Sequence, residues 1–110
     1  MAGRPLVLEF GMGLDVHGND STKAARRAVS DAIRHSSLPL LAEIRERGGT
    51  MHVDVTVGVP NASSVDTDAV RSELPHGVVS VKAVEGGLRS PVDDALIACA
   101  IVVVTAEYPV

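Results

Sequence analysis

Residues 51–59, MHVDVTVGV, alternate without a break. Met51, Val53, Val55, Val57 and Val59 fall on one side, and His52, Asp54 and Thr56 on the other. A period of two is the signature of a strand with one buried face. Pro60 ends the run, because it cannot donate to a sheet ladder. The chain holds 18 valines in 110 residues. Valine is stiff at χ1 and suits a pleated surface, so a substantial sheet is expected.

The rest of the chain alternates between strand and helix patterns. Residues 5–10 have period two, with Leu6, Leu8 and Phe10 on one side and Val7 and Glu9 on the other. In residues 21–33, Ala25, Ala28, Val29, Ala32 and Ile33 recur at helical spacing, and Asn19, Asp20 or Ser21 caps the start. Pro39 makes residues 35–37 a break, and a second helical piece runs to about Arg47 with Leu41 and Ile44 inward. Gly48-Gly49 ends it. Residues 66–74 read as a short helix capped by Asp66, with Val65 and Val70 spaced as a hydrophobic staple. Residues 78–84 form a third strand that carries Lys82. Ser90-Pro91 looks like a helix start, so residues 92–99 are expected to be helical or to merge into a last strand at 100–106.

The order β-α-β-α-β-(α)-β implies crossover connections. The expected fold is a single α/β domain over residues 1–110, a four-stranded mixed sheet with helices mainly on one face. The last strand, AIVVVTA, is apolar on both sides. Such a layout leaves valines uncovered, and a second subunit would cover them. A homo-oligomer is therefore expected.

Composition narrows the function. A net charge of −4 argues against generic polyanion binding, and Phe10 and Tyr108 alone make no stacking platform for nucleic acid. The longest apolar run, residues 95–104, is half of what a spanning helix needs. The N-terminal MAGRPLVLEF lacks the apolar core and cleavage site of a signal peptide. A soluble, cytoplasmic protein is expected, with no membrane partner. The lone Cys99 allows no internal disulfide and fits a reducing compartment.

The candidate site is residues 11–20, GMGLDVHGND, read as a loop between the first strand and the first helix. Glycines there let backbone approach a ligand, and a helix N-terminus favours anions. Known phosphate motifs fit poorly, since Val16 stands where a dinucleotide fingerprint needs glycine and Asn19-Asp20 where a P-loop needs its lysine. In an acid–base reading, Asp15 fixes one tautomer of His17, whose other nitrogen serves as base. In a metal reading, Asp15 and His17 supply two ligands to a divalent ion, and His52 and Asp54 complete the set if their strand face turns toward the loop. His76 is a further candidate. Gly11, Gly13, Gly18, Asn19, Asp20 and Thr22 would line the ligand site. Lys82 and Glu85, the latter beside Gly86-Gly87, are additional candidates for ligand contact. The competing readings are a turn that needs glycine for geometry alone, a solvated sheet face and a lysine that reaches water along an edge strand.

The stretch GMGLDVHG, residues 11–18, resembles the GxGxDxHG signature of a family of conserved hypothetical proteins, found in bacteria and, with a long N-terminal extension, in plants. More distantly, Asn19-Asp20-x-Thr22-Lys23, Val81-Lys82 and Glu85-Gly86-Gly87-Leu88 resemble short segments in one repeat unit of the ring-opening amidohydrolases, the cyanuric acid hydrolase and barbiturase group. That second resemblance implies a homotrimer with pockets between subunits. The chain lacks the group's Ser-Ser-Gly-x-Glu segment, so no nucleophilic serine carries over.

Two function classes follow. The leading expectation is a small-molecule enzyme of acid–base or hydrolytic type, with Asp15 and His17 at its centre. The alternative is a non-catalytic homo-oligomeric ligand-binding or assembly protein in which the loop is structural.

Overall fold

In the computed structural model, which describes residues 3–34 and 38–109 (side chains over 8–34 and 42–109), the first strand does not stop at Phe10. Strand β1 spans Gly3–Asp15, and half of the expected loop belongs to it. Helix α1 (Ser21–Ile33) follows, capped by Asp20, whose side chain accepts from the Lys23 N–H. Helix α2 (Leu38–Glu46) comes next, and Gly48 in the left-handed region ends that segment. The expected break at 35–37 lies outside the described residues, as does the side chain of Leu41. Ile44 is buried, as expected.

Strand β2 (Thr50–Gly58) buries Val53, Val55 and Val57 and turns Asp54 and Thr56 to solvent. A 3₁₀ turn (Ala62–Ser64) and helix α3 (Thr67–Arg71) precede β3 (Val78–Val84). Asp66 caps α3 by accepting from the N–H groups of Asp68 and Ala69. Val70 is buried, and Val65 packs against the same core.

The C-terminal third differs from expectation. No helix forms over 92–99. Instead, β4 (Leu88–Arg89) and β5 (Leu96–Glu107) pair as a hairpin around residues 90–95. The Ser90 hydroxyl does accept a backbone N–H, from Val92, but the Asp93 carboxylate accepts from Ala95 and the Ser90 N–H bonds to the Ala95 carbonyl. These local bonds close a loop and leave a helix no N-terminus to grow from.

Among the described residues the result is a mixed α/β fold with a five-stranded sheet and three α-helices, not a four-stranded one. The strand order is β1-β5-β2-β3, with β4 beside β5 beyond the end of β2. β5 is antiparallel to β1 and β2, and β3 is parallel to β2. Helices α1 and α3 join one core with Val53, Val55, Val57 and alternate residues of β5 from Leu96 to Val104. No helix among the described residues is long and apolar enough to cross a membrane.

Where α1 crosses the sheet, the floor is made of the smallest residues. Gly11 pairs with Ala100 and Gly13 with Ala98 in the β1–β5 register. Ala24, Ala28 and Ala32 of α1 lie above them. A Cβ on Gly13 would stand 2.2 Å from the Ala24 carbonyl oxygen, and one on Gly11 2.2 Å from that of Ala28. Helix backbone thus rests directly on strand backbone. Gly11 and Gly13, expected at a ligand site, serve this close approach.

Candidate functional site

β1, β2 and β3 run in one direction, so their carboxyl ends share one edge of the sheet. In open α/β sheets this edge is where ligands bind. Here it gathers Asp15, the 16–20 turn, the 59–66 connection, Glu85 and the β4–β5 hairpin.

Several polar groups at this edge are occupied by one another. Asp15 is 1% exposed and faces the helix layer beneath the start of α1. Its Oδ2 accepts from the Asp20 N–H at 2.8 Å, and its Oδ1 lies 3.7 Å from Lys23 Nζ. A carboxylate here also meets the favourable end of the helix field. The turn above it passes through Gly18 at φ +90° and Asn19 at φ +55°. Arg89 of β4 donates to the Asn19 side-chain oxygen and fixes that turn from the other side. Ser21 donates to the Pro60 carbonyl, and the Thr22 hydroxyl accepts from the Asp66 N–H. Glu85 accepts from the N–H groups of Asn61 and Ala62, which holds the 3₁₀ turn to the end of β3.

The expected Asp15–His17 pair is not formed in this structure, because Asp15 is committed to Asp20 and Lys23. His17 is exposed. It lies close enough to Asp93 to favour that carboxylate's charged form. The Asp93 carboxyl is held below its usual range, first by the Ala95 N–H and then by the Ser90 hydroxyl, with His17 adding to both.

The four metal candidates do not come together. His52 and Asp54 lie on the face away from α1. His52 is at the level of Thr105 and Asp15 at the level of Leu96, nine residues along β5. At about 3.3 Å per residue that is roughly 30 Å. His52 Nε2 instead meets Glu107 Oε2 at 2.7 Å, and Asp54 accepts from the Ser80 hydroxyl. His76 precedes β3, at the opposite edge from Asp15. Among the described residues, no group of three or more His, Cys, Asp or Glu side chains is placed to hold a metal ion. Lys82 projects from the same open face as His52 and Asp54, level with Thr56 and away from the other ligand candidates.

An open trough of about 460 Å³ runs along α1 between Asp20 and Glu73. Its cations are engaged. Arg26 pairs with Glu73 at 2.8 Å, Arg27 donates to the Leu14 carbonyl, and Lys23 leans toward Asp15.

The most unusual surface is one the loop reading hid. β1 continues its alternation past Phe10, so Leu8, Phe10, Met12 and Leu14 form a row on the open face. They are 54%, 61%, 63% and 44% exposed. Beside them in register stand Val103, Ile101, Cys99 and Ile97 of β5. This stripe carries no charged side chain. At the outer edge of β1, Asp31 accepts from the Met12 N–H while Arg27 occupies the Leu14 carbonyl, so α1 itself blunts part of that edge.

Comparison with known proteins places this fold. No curated protein matches the chain. The crystal structure of an FtsZ-like protein of unknown function from Nostoc punctiforme is similar to it, with 36% identity and a TM-score of 0.81 over 96% of this chain and 97% of that one. The FtsZ dimer of M. jannaschii matches at 16% identity and a TM-score of 0.37, over 87% of this chain and 26% of that one, too distant to carry an argument. The model of a family described as a conserved hypothetical protein, Lin0512_fam, matches residues 5–105. The chain belongs to this family of conserved hypothetical proteins.

Proposed function

We propose that the chain is a non-catalytic assembly protein that works as a homo-oligomer in the cytoplasm, with the open sheet face as its contact surface. The observation that carries this is the uncharged stripe of β1 and β5. From the exposures of its side chains it amounts to roughly 600 Å² per copy, the top of the range a monomer ordinarily shows in one patch. A strand that is apolar on both faces, as β5 is, belongs between two covering layers. Helices supply one of them. The groups of the 11–20 segment, by contrast, are used in holding α1 against β1 and fixing the turn before it.

An acid–base role for His17 has one observation in its favour. The ring is exposed at the carboxyl edge with a carboxylate, Asp93, nearby.

The test is sedimentation velocity on the native chain and on Phe10→Glu, with circular dichroism to confirm that both are folded. The native chain should sediment as a multiple of 11.4 kDa and the variant as a monomer. A native chain that stays monomeric at high micromolar concentration refutes the reading. Retained assembly in a folded Phe10→Glu protein would move the contact off this face.

A further inference from the structure

We infer that the open face pairs with a second copy of this chain about a two-fold axis that runs along the strands between β1 and β5, leaving the polar half of the face in water. This rests on the assembly reading above and adds the partner's orientation.

The face is divided lengthwise. On one side are four apolar pairs in register: Leu8 with Val103, Phe10 with Ile101, Met12 with Cys99 and Leu14 with Ile97. On the other, Ser80 stands level with Asp54 and Lys82 with Thr56, and His52 pairs with Glu107. Nothing in the apolar stripe offers a charge or hydrogen bond that would select a different partner. A pleated apolar surface is, however, complementary to another of its own kind, as in aligned sheet-on-sheet packing. At roughly 600 Å² per side the contact is about three quarters of a standard interface, enough for a dimer of moderate affinity.

Two isologous face-to-face arrangements exist. With the axis across the strands, each half of the face lies on its own counterpart. The stripe is centred between the Ile101 and Cys99 levels, and Lys82 stands at the Ile101 level, beside that centre. The partner's Lys82 would then come within about two residues along the strand, roughly 7 Å, while the partner's Asp54 would be about four residues away, roughly 13 Å. Two like charges would be brought together and desolvated, with each Lys82's own Asp54, one strand over and two levels away, as the nearest counter-charge, which is unfavourable. With the axis along the strands, β1 lies over the partner's β5. The stripes superimpose, and the two polar halves fall on opposite outer sides, where Lys82, Asp54 and His52 keep their water.

The two axes place the stripe's ends differently. Along the strands, Leu8 approaches the partner's Leu8, and Leu14 the partner's Leu14. Across the strands, Leu8 approaches the partner's Leu14, and like ends are six residues apart, about 20 Å. The experiment uses Leu8→Cys and Leu14→Cys, each in a Cys99→Ser background, treated singly and mixed with a short-spacer bismaleimide after sedimentation has given the mass. The expected result is a dimer in which each variant cross-links to itself. Cross-linking only in the mixture, between the two variants, overturns the axis. A trimeric mass, as the amidohydrolase resemblance implies, overturns the two-fold pairing but leaves assembly standing. A monomer with no cross-link in any sample refutes the assembly reading and this inference together.

Discussion

Replacing Gly13 with alanine tests whether the glycines of residues 11–20 exist for packing. The added methyl would lie 2.2 Å from the Ala24 carbonyl oxygen and 2.3 Å from the Ala28 nitrogen. An ordinary carbon–oxygen contact is about 3.3 Å or longer, so α1 must retreat by about 1 Å. Both opposing atoms are helix backbone, and neither can swing aside as a flexible side chain would. Retreat also loosens Ala24, Ala28 and Ala32 from the strands beneath. Overpacking of this kind costs about 1–3 kcal/mol, and the rigidity of both partners puts Gly13→Ala at the upper end. For a chain of this size that is a fall in Tm of roughly 10–20 °C. Gly18→Ala is the control. Its φ of +90° disfavours alanine, but the nearest atom to a Cβ there is 3.9 Å away, so the cost is conformational alone, about 1–2 kcal/mol. Thermal and urea unfolding at matched protein concentration would rank native, Gly18→Ala and Gly13→Ala in falling stability. A Gly13→Ala protein as stable as the native one, or more stable than Gly18→Ala, would refute the close-approach argument and return these glycines to a site reading.

Two further outcomes follow from the same edge of the sheet. Asp15→Ala leaves the Asp20 N–H without its acceptor and should cost about 1–3 kcal/mol in urea unfolding, whereas Asp15→Asn keeps an acceptor oxygen and should cost less; equal stability of all three would mean the buried carboxylate is not structural. Asp93 should titrate below the ordinary aspartate value of about 3.9, because the Ala95 N–H, the Ser90 hydroxyl and His17 all favour its charged form. Its folded value is depressed, so its stabilisation of the 90–95 loop is present above the ordinary value and lost as pH falls through the folded one. An NMR titration should place its midpoint lower in the native chain than in Ser90→Ala, and identical midpoints would count against the loop geometry.

Much of the fold was legible because local pattern and burial agree there. Valines alternate along β2, and they are the buried ones. The β3 boundaries match the residues read as its strand, and Asp66 caps α3 as its position suggests. The open character of the His52, Asp54 and Thr56 face follows from the same alternation. The candidate site was less legible. Glycine and aspartate are depleted from strands, so GMGLD reads as loop by composition. Its period-two signal was nonetheless present, with Leu8, Phe10, Met12 and Leu14 on one side and Gly11, Gly13 and Asp15 on the other. Likewise Ser90-Pro91 carries helix-start chemistry, yet side-chain bonds within 90–95 close a hairpin loop there.

The sequence by itself determined which side of each regular element is apolar, since a period of two or 3.6 is written into neighbouring residues. It also supplied the small residues of α1 and the acceptor that caps it. Only the tertiary structure decided what those features meet. Gly11 and Gly13 are bare because α1 lies against them, and Asp15 is buried because Asp20 and Lys23 return over it. Leu8, Phe10, Met12 and Leu14 are exposed because α1 covers the other side of β1. Contacts between residues far apart in the chain depend on register and helix placement, and no local stretch of residues encodes either one alone.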